Sequence, residues 1–208
     1  MMIRASVSLI AAILFALASV TVDAQDDTVV RVDYVAVLVQ ADGTESPYAE
    51  GVHYIASDGR YRRDETPAGG TPTSEYRLPR DGVHVSVNHS LLEAVRSRRI
   101  PPVNVASPVG RSLATPHAGA ETTEIGERTL GPIRLQGRAE VREGAGRTEY
   151  WVHDPPMMET AADPLAYPPI VVEMTVFMDT GERFEVRATS AQPISPAPDI
   201  FTVPGPVR

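Results

Sequence analysis

Few side chains in this sequence have the types and spacing that chemistry needs. Asp179-Thr180-Gly181, preceded by Val176-Phe177-Met178, matches a tripeptide that can supply one half of a catalytic carboxylate pair. Such a pair needs two aspartates sharing a proton, from two lobes or two subunits. Here there is one copy, and Glu182 follows where a small hydroxyl residue would be expected. No later apolar-apolar-glycine segment is present to support the aspartate loop. Turn chemistry explains the same three residues.

Histidine makes no better case for a metal. His84 and His89 are an odd number of residues apart, which sends them to opposite faces of an uninterrupted strand. His53, His117 and His153 sit in separate segments, and neither HExxH nor a Cys/His set occurs. The histidines are therefore expected at the surface, with no metal and no other cofactor. Nucleophilic catalysis lacks a G-x-S-x-G elbow. Asn88-His89-Ser90 fits the glycosylation sequon, which matters only in a eukaryotic source. No catalytic residue is assigned, and the chain is expected not to be an enzyme.

Composition excludes further classes. The 208 residues carry 19 basic side chains, all arginine, against 27 acidic ones, a net charge of −8. That balance argues against nucleic acid or an anionic membrane surface as the main partner. With no cysteine, packing and sheet hydrogen bonds alone must hold the fold. Residues 1–24 have the form of an export signal: Arg4 in the basic region, an apolar run over 5–20, and Val22-Asp23-Ala24 at the cleavage position. Cleavage would start the mature chain at Gln25, in the periplasm or outside the cell. No later segment approaches spanning length, so no integral membrane segment is expected after cleavage. Residues 25–208 suit one domain.

The elements that must position any site are strands, and 169–203 organises them. Ile170, Val172, Met174, Val176 and Met178 fall on even positions, with Glu173, Thr175 and Asp179 among the odd ones. Phe184, Val186 and Ala188 repeat the pattern against Arg183, Glu185 and Arg187. Period two makes each arm a strand with one apolar face. A three-residue loop, Asp179-Thr180-Gly181, sets Val176 opposite Phe184 and Met174 opposite Val186, and only this register keeps the apolar face continuous. It also puts Gly181 where φ > 0 is needed and Glu173 across from Arg187.

Earlier in the chain, 28–39 reads as a strand whose far half is apolar on both sides and should be covered on both sides there. Further strands are expected at 48–57, from Arg60 through the arginines Arg62 and Arg63 as a solvated face, at 76–79, and at 82–88 with Val83, Val85 and Val87 inward and His84 outward. Residues 90–99 fit either a short capped helix or the return arm of a hairpin. Residues 100–122 are rich in Pro, Gly, Ala and Ser and are read as a long loop. Ile133, Leu135, Gly137 and Ala139 alternate along the next strand, and Gly144-Ala145-Gly146 turns it back so that Trp151 lies opposite Ala139, beside Gly137. The proline-rich 154–169 is a connector or flap. The fold class is mainly β, antiparallel, with seven to ten strands, little helix and long loops near 100–122 and 154–169.

Glu124 to Gly131, a strand through Gly137, Tyr150-Trp151 and Asp199-Ile200-Phe201-Thr202-Val203-Pro204, with a weaker echo in Ser57 to Arg62, resemble a group of uncharacterised exported bacterial proteins. Those proteins are distantly similar to the lipoprotein-localisation carrier (LolA/LolB-like) half-barrel superfamily, which includes sigma-factor-regulating periplasmic proteins. The resemblance covers about 120–204 and implies a single, strongly curved antiparallel sheet, a half-open barrel, with an apolar ligand in its concavity.

The expected function is a non-catalytic envelope binding module. Its site is the apolar face of Val172, Met174, Val176, Met178, Phe184 and Val186, with Trp151 nearby and the 154–169 flap above. Methionine adapts to irregular apolar shapes, which suits a lipid or a lipoprotein acyl chain. The alternative is an interaction module that contacts another envelope protein through strand edges or the proline-rich flap. Plain core, covered by the protein's own loops, explains the same stripe.

Overall fold

In this computed structural model the described residues are 28–78, 83–91, 93–97, 121–142, 146–153, 170–195 and 197–204. They contain eleven strands: β1 (Val29–Val39), β2 (Glu45–Ala56), β3 (Tyr61–Pro67), β4 (Thr73–Leu78), β5 (Val83–Asn88), β6 (Glu93–Ser97), β7 (Glu121–Leu130), β8 (Ile133–Arg142), β9 (Gly146–His153), β10 (Ile170–Phe177) and β11 (Arg183–Ile194). All lie in one antiparallel sheet, ordered β6-β5-β4-β3-β2-β1-β11-β10-β9-β8-β7. Two meanders therefore meet where β1 pairs with β11 along its whole length. The sheet does not close, and among the described residues there is no helix.

The sheet curls strongly. Gly131, in the turn between β7 and β8, abuts the backbone of Ala191 on β11, although β9 and β10 lie between β8 and β11 in the sheet. The same curl lets Ile133 and Leu135 of β8 share a core cluster with Val30 and Val32 of β1, Ile55 of β2 and Tyr61 of β3. The face carrying those residues is the concave one. On the opposite face of β2, β4 and β5, Ile200, Phe201 and Val203 of the C-terminal segment pack against Val29, Ala56, Leu78 and Tyr76 and their neighbours. Both faces of this half of the sheet are thus covered.

The terminal hairpin has the register its sequence predicts. Met174 pairs with Val186 and Val176 with Phe184. The Met178 amide donates to the Glu182 carbonyl across a three-residue loop in which Gly181 has φ +83°. At that φ a side chain would strain the backbone. Val37 and Val39 of β1 are buried, as an end apolar on both sides requires.

Other elements differ from the expectation. There are eleven strands rather than seven to ten. β2 begins at Glu45 and passes through Pro47, because beyond Ala49 it pairs with β1 alone and the missing N–H forfeits no bond to β3. Residues 93–97 are the hairpin arm β6, not a helix. β7, whose first two residues lay within the expected loop, is exposed along almost its whole length and so carries no apolar period. Trp151 faces Gly137 instead of Ala139, and the residue opposite Ala139 is Glu149. Glu173 turns away from Arg187: it ion-pairs with Arg128 and accepts from the Ala188 amide at 3.1 Å, while Arg187 binds Glu185 and Glu45. The expected export signal, the flap at 154–169 and the loop from 100 to 120 lie outside the described residues.

Candidate functional site

The expected apolar site is built by the central strands. Met174, Val176, Phe184 and Val186 share one cluster with Tyr34, Ala36, Ala49 and Tyr150, and Met178 packs against it. Phe184 is fully buried, and the ring of Tyr48 meets it edge-on at 5.1 Å between centroids. Val172 and Trp151 belong to the neighbouring cluster with Ile170 and Leu135. Trp151 is half-buried, with the Arg128 guanidinium 4.2 Å above its ring. The structure thus brings five of the seven residues together and sets the other two beside them.

Open space lies across the sheet from this cluster. A cleft of about 460 Å³ opens on the opposite face, lined by Val35, Val37, Pro47, Glu50 and Thr66 among others, which the ladder sets on the side away from Tyr34 and Met174. Ala36 and Ala49 belong to the first cluster and are buried beneath the cleft, so the sheet separates the two. The sequence reading missed these residues. Their signal was weak, because the lining comes from a register shift of β2 against β1 between Ala36 and Val37 and from the turn after β3.

A second feature is polar and also went unread. On the concave face, His53 of β2 pairs across the ladder with Arg63 of β3, which pairs with Glu75 of β4, while Tyr61 pairs with Arg77 and Arg77 with His84. His53, Arg63, Glu65, Arg77 and His84 are all buried. The histidines expected at the surface, His53 and His84, are therefore inside. The arginine run expected as one solvated face is split: Arg63 points into the concavity, and Arg62 crosses the other face to donate to the Ile200 carbonyl at 2.9 Å. Alternation placed His84 outward, and the surface was the default for His53 and the arginine run, because both readings assume a sheet with one wet face, which this half lacks.

Partners within the row are specific. Tyr34 Oη donates to Glu65 Oε2 at 2.7 Å, Arg63 lies 3.1 Å from Glu75 Oε1 and 3.9 Å from Glu65 Oε2, and His53 stacks on Tyr34 at 4.6 Å. Burial, followed by the charges of Arg63 and Arg77, drives the His53 pKa down to about 3, so the ring is neutral. Burial raises Tyr61 and lowers Arg77 to about 10. Among the described residues no group of three or more His, Asp or Glu side chains is placed to hold a metal ion. Asp179-Thr180-Gly181 sits exposed in the β10–β11 turn, where Thr180 Oγ1 donates to Glu182 Oε2 at 3.0 Å.

No protein-family model and no curated protein matches the sequence. Solved structures resemble it at low identity. An uncharacterised conserved protein from Thermus thermophilus is 7% identical with a TM-score of 0.45, over 87% of this chain and 88% of that one. A LolA superfamily protein from Nitrosomonas europaea is 9% identical with a TM-score of 0.39, over 86% and 91%. A chain of the Pseudomonas aeruginosa MucA/MucB complex is 17% identical with a TM-score of 0.38, over 85% of this chain and 56% of that one. No function is drawn from these likenesses.

Proposed function

We propose that the protein is a non-catalytic envelope protein, exported by residues 1–24 as its signal, that binds a lipid or acyl chain against the concave side of its sheet. The observation that carries this reading is the continuous apolar surface of Met174, Val176, Phe184 and Val186 with Tyr34, Ala36, Ala49 and Tyr150 on the concave side. Trp151 and Val172 extend the apolar surface along β9 and β10. Displacement of a fluorescent fatty acid from the processed protein tests the reading. Saturable binding that weakens at least tenfold in Ala49→Phe, with unfolding temperature retained, is the expected result; unchanged affinity in that variant overturns it.

One observation favours contact with an envelope protein instead. Leu91 and Val95, at the β6 end of the unclosed sheet, are 64% and 62% exposed, which suits a partner adding to that edge. Protein that binds no fatty acid but co-purifies stoichiometrically with one envelope protein, dependent on Val95, supports this second reading.

A further inference from the structure

In the polar row on the concave face, a histidine ring nitrogen is left over. His53 Nδ1 lies 2.8 Å from Tyr61 Oη, but Nε2 of the same fully buried ring has no hydrogen-bond partner. Leaving a buried donor or acceptor unmatched forfeits its hydration with nothing in return, so native structures rarely keep one without a use. The ring is neutral, and in the tautomer where the Tyr61 hydroxyl donates to Nδ1 the ring proton sits on Nε2 as a donor.

The surroundings of that donor favour negative charge. Arg63 stands directly across the β2–β3 ladder, and Arg77 lies beyond Tyr61 with its guanidinium 5.3 Å from the Tyr61 ring. The carboxylate of Glu65 is already engaged by Tyr34 and Arg63, and that of Glu75 by Arg63. We infer that this row receives the anionic oxygen group of the ligand, a carboxylate or a phosphate, with His53 Nε2 donating to it and Arg63 and Arg77 supplying the positive field. The inference rests on the apolar-ligand reading above. Tyr34 joins the two regions, since it belongs to the apolar cluster and binds Glu65 in the row. An amphiphile lying along the concavity therefore meets an apolar floor at one end and cationic donors at the other. His53 held neutral donates without adding a third positive charge, and a bound anion offsets the burial that lowers Arg77.

The test is a titration of the processed, nitrogen-15-labelled protein with oleate, with oleyl alcohol and with inorganic phosphate, following the His53 Nε2 resonance and the affinities. Oleate is expected to bind at least tenfold more tightly than oleyl alcohol and to shift His53 Nε2, which the alcohol leaves in place. His53→Phe, which keeps a ring to stack on Tyr34, is expected to abolish the preference for oleate. Equal affinities with an unmoved His53 resonance overturn the anionic subsite and leave the apolar reading standing. Binding of none of the three overturns both. A shift with phosphate where neither amphiphile binds supports the anion site, assigns it to a free anion, and overturns the apolar reading.

Discussion

His53 Nδ1 and the Tyr61 hydroxyl sit 2.8 Å apart where neither side chain meets solvent. The pair faces Tyr34 from β1, Arg63 and Glu65 from β3, and Glu75 and Arg77 from β4. Burial holds the folded His53 near 3, against 6.5 in the unfolded chain. Between those values the unfolded state binds more protons, so stability rises with pH there and is lost on acidification from about 6.5 towards 3. His84 is lowered by burial and acts in the same direction. Urea midpoints are therefore expected to fall steadily from pH 7 to pH 4, and His53→Gln is expected to flatten that slope. An unchanged slope in the variant contradicts the assignment.

Gly137 makes room for the single tryptophan. A Cβ at this position would lie 2.8 Å from two Trp151 ring atoms and 2.7 Å from Ile125. Gly137→Val is expected to cost about 1–3 kcal/mol by overpacking and to shift tryptophan emission to the red as the ring is displaced. Chemical denaturation followed by fluorescence reads both.

Phe177 and Phe184 lie on opposite faces of the terminal hairpin. Phe184 is fully buried and Phe177 is 38% exposed. Phe184→Ala is expected to destabilise by about 3–5 kcal/mol. Phe177→Ala is expected to stay within about 0.5 kcal/mol of the parent. Equal effects would mean that the hairpin faces the other way.

That hairpin was legible because two independent signals agreed. Even-position apolar residues fixed the face, and the loop length fixed Met174 opposite Val186. At Trp151 the same method slipped by two residues. Gly146 has the positive φ expected of it, +79°, but it already pairs with Arg142, and Arg147 pairs with Val141 where Glu143 was expected. β7 gave no signal because a strand exposed on both faces has no period to read. The cleft was illegible for a different reason, since its walls come from a register shift and a turn, which only the folded ladder defines. His53 and Arg63 looked like surface residues because nothing in their strands announces that Phe201 and Val203, far along the chain, cover the other face.

Tyr34 ties the apolar cluster to the polar row through its 2.7 Å bond to Glu65. Tyr34→Phe keeps the ring in the cluster but removes the donor from a buried carboxylate. A loss of about 1–3 kcal/mol is expected, read as a lower unfolding midpoint. No loss would mean that Arg63 alone satisfies Glu65.

Native mass spectrometry of the processed protein, prepared without detergent and then offered oleate, tests the apolar-ligand claim most directly. The account predicts a discrete adduct with the mass of one fatty acid or phospholipid, or one oleate taken up on addition, and its loss in Ala49→Phe. A bare mass that stays bare when oleate is added would contradict it.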